Sequence, residues 1–182
     1  MAKVEEILLN RDIVKCVEEN LEVLTGQSVR VSTEARRKIK PEKVISLFSK
    51  NEIVVVVYSN LIFSRKIYVT MIFDVKNACV LSRTLLAQAD LEIGGEEIID
   101  SLREFGNIMI GTIASYISMI QNERVDYTIP EVVIDYDTAI MESLIMPLAM
   151  NNEFIDLYEF SVMHKATTAK SMFKMFILPG EA

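Results

Sequence analysis

The sequence predicts an α+β domain of two pseudo-symmetric halves, each a helix followed by three strands, which share one antiparallel sheet with the helices packed on one face. Three observations predict it. Two segments, 11–24 and 96–121, carry apolar residues at helical spacing. After each come three short runs that read as strands. No Pro/Gly/Ser-rich linker divides the 182 residues, so one domain spanning 1–182 is expected.

In the first half, Ile13, Val14, Val17, Leu21 and Leu24 share a helical face, Asp12 suits the first turn, and Gly26 is a natural stop. Residues 27–32 alternate, with Val29 and Val31 on one side. The basic stretch 36–41 then reads as a solvated connection. The β-branched runs 53–58 and 67–73 read as neighbouring antiparallel strands turning near Ser59 and Asn60.

A helix over 75–89 follows, with Cys79, Leu81, Leu85 and Leu86 as core candidates, and Gly94-Gly95 breaks it from the long helix 96–121. Glu96 and Glu97 suit the positive end of that helix dipole. In the second half, 127–134 is a strand interrupted by Pro130, 139–146 a short helix closed by Pro147, and 154–163 and 172–178 two final strands. Residues 179–182 read as a frayed tail.

Composition narrows the function. Apolar residues make up 51% of the chain, ample for a core. With 19 basic against 26 acidic side chains the net charge is −7, which disfavours nucleic acid as a partner. The apolar run 53–58 is far too short to insert in a membrane, and the N-terminus does not read as a signal peptide. Two distant cysteines, Cys16 and Cys79, fit a reduced, cytoplasmic protein with buried thiols.

The informative stretch lies in the long helix. Leu102, Gly106, Met109 and Ile113 fall on one side, extended by Ile99, Ile110 and Ile117. Asp100, Glu104, Asn107 and Gly111 line the opposite side in steps of four, three and four. Glu104 offers a fixed carboxylate, and Asn107 an amide that both donates and accepts. Gly111, poor for a helix by about 1 kcal/mol, leaves a gap that admits close approach of another molecule. Gly106 faces inward, where it lets the helix press on its neighbour. No nucleophile–base pair and no metal-ligand set accompanies the stripe; the single histidine, His164, lies in a distant strand and reads as structural or exposed. Gly94-Gly95 lacks the companions of a phosphate-cradling loop.

These residues resemble the motif of the CheC/CheX/FliY phosphatase family: Asp or Ser, three residues, Glu, two residues, Asn, twenty-two residues, then Pro. Asp100, Glu104, Asn107 and Pro130 occupy the four fixed positions, with residues 108–129 as the gap. The run from Phe105 to Gly111 is also similar to the family's Gly-Asn-Ile-x-x-Gly context. The resemblance spans about 11–178. The first helix carries no Glu-x-x-Asn pair, since Glu18 is followed by Leu21 and Glu19 by Glu22. One site per chain is the arrangement of CheX-like rather than two-site CheC-like members.

The resemblance implies a CheC-like fold and a phosphatase acting on the aspartyl-phosphate of a phosphorylated, CheY-like response-regulator receiver. It implies that Asn107 enters the receiver's site and orients the attacking water, and that Glu104 pairs with the receiver's lysine. Asp100, Gly111 and Pro130 would shape and support the site. The chain would need no cofactor of its own, Mg²⁺ being expected in the receiver's active site. Family analogy further implies a homodimer joined through the sheet, for which 54–58 and 173–178 are candidate edges. The rival reading is a non-catalytic binding or flagellar-switch module of the same fold.

Overall fold

The structure is a computed structural model that describes residues 11–47, 50–87, 95–150, 152–165 and 171–179. Among the described residues the order is α1 (Arg11–Thr25), β1 (Val29–Ile39), α2 (Pro41–Ser46), β2 (Ile53–Ile62), β3 (Lys66–Asp74), α3 (Val75–Leu86) and α4 (Glu96–Gln121). Then follow β4 (Asp126–Tyr127), β5 (Glu131–Tyr136), α5 (Asp137–Ala149), β6 (Ile155–His164) and β7 (Ser171–Pro179).

The seven described strands form one sheet in the order β1-β6-β7-β3-β2, with β5 and the short β4 pairing β2 on its far side. Every pairing is antiparallel. Exchange β1 with β5, β2 with β6 and β3 with β7, and the order reads the same in reverse. The halves are therefore related by a pseudo-two-fold between β3 and β7, and each is a helix, a strand, a short helix and a hairpin. The expectation of two matching halves on one sheet holds. The strand that precedes the hairpin in each half is an edge strand lent across: β1 pairs β6, and β5 pairs β2.

Strand alternation supplies two apolar faces. On one, Val55 and Val57 of β2, Met71 and Phe73 of β3, Phe160 of β6 and Met175 of β7 pack with α1, α3 and α4. On the other, Leu157 of β6 and Phe176 and Leu178 of β7 meet Val44 of α2 and Ile145 and Leu148 of α5. Helices α1, α3 and α4 thus share one face as expected. The second face is covered in part by α2, which no sequence pattern announced, and α5.

Several boundaries moved. The basic stretch 36–41 is not a connection: residues 36–39 continue β1 against β6. Partners distant in sequence explain it, because Arg37 lies 3.6 Å from the buried carboxylate of Glu159 and Arg36 stacks over the Tyr158 ring at 5.6 Å. The first turn expected at Ser59-Asn60 lies instead at 63–65, closed by a Phe63 amide donating to the Arg65 carbonyl. Pro147 does not end its helix, which runs on to Ala149 because Leu148 is buried beside Ile145. Cys79 is buried, but Cys16 is only half-buried. Of the other core candidates in α3, Leu81 is buried, Leu85 half-buried and Leu86 exposed. Gly94, Ala89 and 180–182 lie outside the described residues.

The edge assignment also fails: 54–58 sits inside the sheet between β3 and β5, and 173–178 between β6 and β3. The edges are β1 and β5. An edge strand exposes unpaired amides, and α1 seals two of them. Glu18 accepts from the Val31 amide at 2.7 Å, and Glu22 from the Val29 amide at 3.2 Å. Lys165 donates to the same Glu22 oxygen at 2.8 Å. That contact, with the Val29 amide, holds the Glu22 carboxyl below its ordinary value and lifts the Lys165 ammonium above its own.

A carboxyl depressed on folding stabilises the fold above its unfolded pKa and loses that contribution as pH falls through the folded value. A raised lysine contributes below its unfolded value and loses it only in strong base. Between pH 5 and 7 both contributions are therefore intact. Protection of the Val29 amide against exchange, corrected for the intrinsic rate, is expected to fall as pH drops below about 4.3, the ordinary glutamate value. Glu22→Gln should lower protection at neutral pH and remove the acid step. NMR hydrogen exchange measures both.

Candidate functional site

Helix α4 begins at Gly95, which takes an extended conformation as N-cap, and stops at Asn122, whose left-handed φ of 52° closes it. Its orientation is set by two adjacent residues. Phe105 is buried in an aromatic trio, with ring centroids 6.0 Å from Phe73 and 5.7 Å from Phe173, both edge-on. Such pairs contribute about 0.5–1.5 kcal/mol each beyond their buried area. Gly106 sits where a Cβ would stand 2.5 Å from Val57 Cγ1 and 3.2 Å from Pro130 Cβ. Only a residue without a side chain lets the helix approach β2 this closely.

Residues 104 and 107 flank that inward pair and so point away from the core. At about 100° per residue, Asp100, Glu104, Asn107 and Gly111 fall within an arc of about 60°. Glu104 is exposed and Asn107 half-buried. Among the described residues neither side chain makes a hydrogen bond or ion pair. Asp100 is exposed and pairs with Arg103 one turn on. The structure thus brings Asp100, Glu104 and Asn107 onto one accessible stripe and buries Pro130 beneath it.

Gly111 differs from expectation. The gap over it is filled from within the chain: a Cβ there would lie 3.1 Å from the Tyr127 hydroxyl. On its other side a groove of about 510 Å³ runs between α1 and α4, lined by Cys16, Asn20, Ile108, Thr112 and Met119.

The sequence marked 127–134 as a strand interrupted by Pro130, but not how this segment bears on both glycines. Tyr127 pairs with Leu61 of β2. Thr128 is tied to the next residues of that strand. Its amide donates to the Asn60 carbonyl at 3.0 Å, and its hydroxyl accepts from the Asn60 amide at 3.1 Å. Its carbonyl accepts from the Ser59 hydroxyl at 2.7 Å. Pro130, lacking an N–H, separates β4 from β5 and packs on Gly106. The Tyr58 hydroxyl donates to Glu131 at 2.6 Å; burial, then this carboxylate, pushes Tyr58 up to about 12. The alternation Tyr127-Thr128-Ile129-Pro130 was the available signal. What it lacked was the position of Ser59 and Asn60, which the displaced turn hid.

Chemically the stripe offers one carboxylate and one carboxamide with free hydrogen-bonding capacity. Among the described residues no group of three or more His, Cys, Asp and Glu side chains is placed to hold a metal ion. No helix among them is long and apolar enough to cross a membrane.

No family model and no curated protein matches this sequence. Solved structures do. FliY from Thermotoga maritima is similar over 98% of this chain and 90% of its own, with a TM-score of 0.72 and 16% identity. CheX from Desulfovibrio desulfuricans is similar over 97% of this chain and 99% of its own, with a TM-score of 0.62 and 11% identity. This is the CheC/CheX/FliY fold. A middle domain of the protein FliM, over 98% of this chain and 94% of its own, reaches the same TM-score of 0.62 at 9% identity. The CheC-like fold therefore houses CheX, FliY and FliM alike, and its presence does not single out the CheX-like members.

The two glycines of α4 are predicted to behave oppositely. Gly106→Ala overpacks a contact with a stiff valine and a proline and should lower unfolding free energy by about 1–3 kcal/mol. Gly111→Ala meets only the far end of an exposed tyrosine, which can swing aside, and gains up to about 1 kcal/mol of helix propensity. Its stability should be unchanged or higher. Urea unfolding of both variants checks the pair.

Proposed function

We propose that the chain is a phosphatase for the aspartyl-phosphate of a CheY-like response-regulator receiver, with Glu104 and Asn107 as its site. The observation that carries the reading is the outward stripe on a helix whose adjacent Phe105 and Gly106 are locked inward. The reading is supported by the motif spacing from Asp100 to Pro130 and by a fold shared with a CheX solved together with CheY, BeF₃ and Mg²⁺.

The chemistry follows from what the stripe contains. Phosphoryl transfer needs an in-line nucleophile and stabilisation of charge more than covalent help. In this reading the receiver brings its own phosphoryl aspartate, Mg²⁺ and lysine. The Asn107 amide enters that pocket, accepts from a water and donates to the phosphoryl group, so that the water lies in line with phosphorus. Glu104 pairs with the receiver's lysine and fixes the register of docking. Holding the water in place converts an encounter of three bodies into a reaction within one complex, an effect worth several kcal/mol. Asp100, held by Arg103, and Pro130, under Gly106, position α4 and take no chemical step.

A second reading, receiver binding without hydrolysis, draws on the FliM likeness. Phosphate release separates the two. With phosphorylated receiver in excess, Asn107→Ala should lower kcat at least 100-fold, about 2.7 kcal/mol of barrier, while retaining most binding. Glu104→Ala should lower kcat and raise KM together. Stopped-flow phosphate release measures both, and normal turnover by either variant refutes its assigned role. We propose in addition that two copies pair; since β2 and β7 are interior strands, sheet-edge pairing has to use β1 or β5.

A further inference from the structure

Isolated exposed hydrophobic residues are ordinary on a protein surface. Ile129 is not ordinary in how it is held. Of the five residues 127–131, four are fixed to neighbours: Tyr127 to Leu61, Thr128 to Ser59 and Asn60, Pro130 to Gly106, and Glu131 to Tyr58. The backbone on both sides of Ile129 has therefore lost its freedom, yet the side chain is left 78% exposed. A flexible loop would let such a side chain fold back onto the protein. This ledge holds it out in water.

Where the ledge lies gives it a purpose. Pro130 meets α4 at position 106 and Tyr127 meets it at position 111. Ile129 lies between them in sequence, and positions 106 and 111 bracket Asn107 on α4. Of the four stripe residues, Asn107 is also the nearest in helical angle to Gly106. Whatever macromolecule presents its pocket to Asn107 must bring neighbouring surface against the ledge.

We infer that Ile129 is a specificity-determining contact for the receiver, which meets it with an apolar surface beside its phosphorylation pocket. This rests on the reading of the stripe as a receiver site and names how that site selects its partner. The frame makes the contact effective: an anchor already fixed in its bound position loses little freedom on association, and a side chain that fills a pocket on its partner can carry a large share of the binding energy. Asn107 then governs the chemical step and Ile129 the encounter.

The test uses a CheY-type receiver activated with beryllofluoride and Mg²⁺, titrated calorimetrically against the full chain, and phosphate release from the phosphorylated form. Ile129→Asp should weaken binding at least tenfold, about 1.4 kcal/mol, and raise KM by a similar factor with kcat at saturation retained. Ile129→Val should bind within threefold of the parent. The same acidic change at Met150, 83% exposed at the end of α5 on the other face of the sheet, should leave binding unchanged. Circular dichroism melts confirm that each variant is folded, as expected for exposed positions. If Ile129→Asp binds like the parent, or Met150→Asp weakens binding equally, the inference is overturned. If the parent chain binds no activated receiver, the functional reading beneath it falls, and this contact with it.

Discussion

The contact of Gly106 with Val57 and Pro130 is the constraint on which the rest depends. It joins the long helix to an interior strand of the sheet and to the start of an edge strand at one point. With Phe105 wedged between Phe73 of β3 and Phe173 of β7, it fixes the rotation of α4 about its own axis. A helix fixed at two successive positions has no rotational freedom left. Glu104 and Asn107, the residues on either side, are then presented outward by the core itself. No local hydrogen bonding is needed to aim them, which leaves their polar atoms available to a partner.

The pseudo-two-fold shows how one scaffold treats its two halves differently. Helices α1 and α4 occupy matching places, each over the sheet and each followed by an edge strand. On α1, Glu18 and Glu22 satisfy the free amides of β1. On α4 the carboxylate and amide of the stripe have no such duty. Fourteen residues before the buried Thr25 that closes α1 stands Arg11, whereas fourteen before the buried Gln121 that closes α4 stands Asn107. The half that carries polar groups for its own edge lacks the amide, and the half that carries the amide ties down its edge through Thr128 and Pro130 instead. In the proposed reading, edge protection and partner recognition are thereby divided between the halves.

A site built this way would be lean because its chemistry would be shared. In the proposed reading one molecule supplies the electrophile, the metal and the lysine, and the other an amide and a shape. Shape then bears much of the selectivity, and a rigid ledge next to the amide is where shape is most effective. The same economy explains why fold alone does not decide activity: removing one carboxamide would leave the sheet, the helix and the docking face intact.

Much of this was legible in the sequence, and the rest had physical reasons to be hidden. The bounds of α4, the inward Gly106 and the outward Glu104 and Asn107 follow from a single helical period, which is local information. The two-halved order of elements follows from alternating periodicities in the same way. What failed was non-local. Residues 36–39 are strand because they pair with 155–158, more than a hundred residues on, where Glu159 and Tyr158 also receive the charges of Arg37 and Arg36. Ser59 and Asn60 look like a turn and are strand because Val69, Tyr68 and Thr128 pair with them. Which strands are edges is decided by strand order, and no period of two carries that. Gly111 looked open because sequence does not reveal that Tyr127 returns over it. The sequence by itself determined which residues share the face of each helix, since side-chain direction follows from backbone repeat. Only the tertiary structure decided what each face meets, because that depends on contacts whose partners lie far apart along the chain.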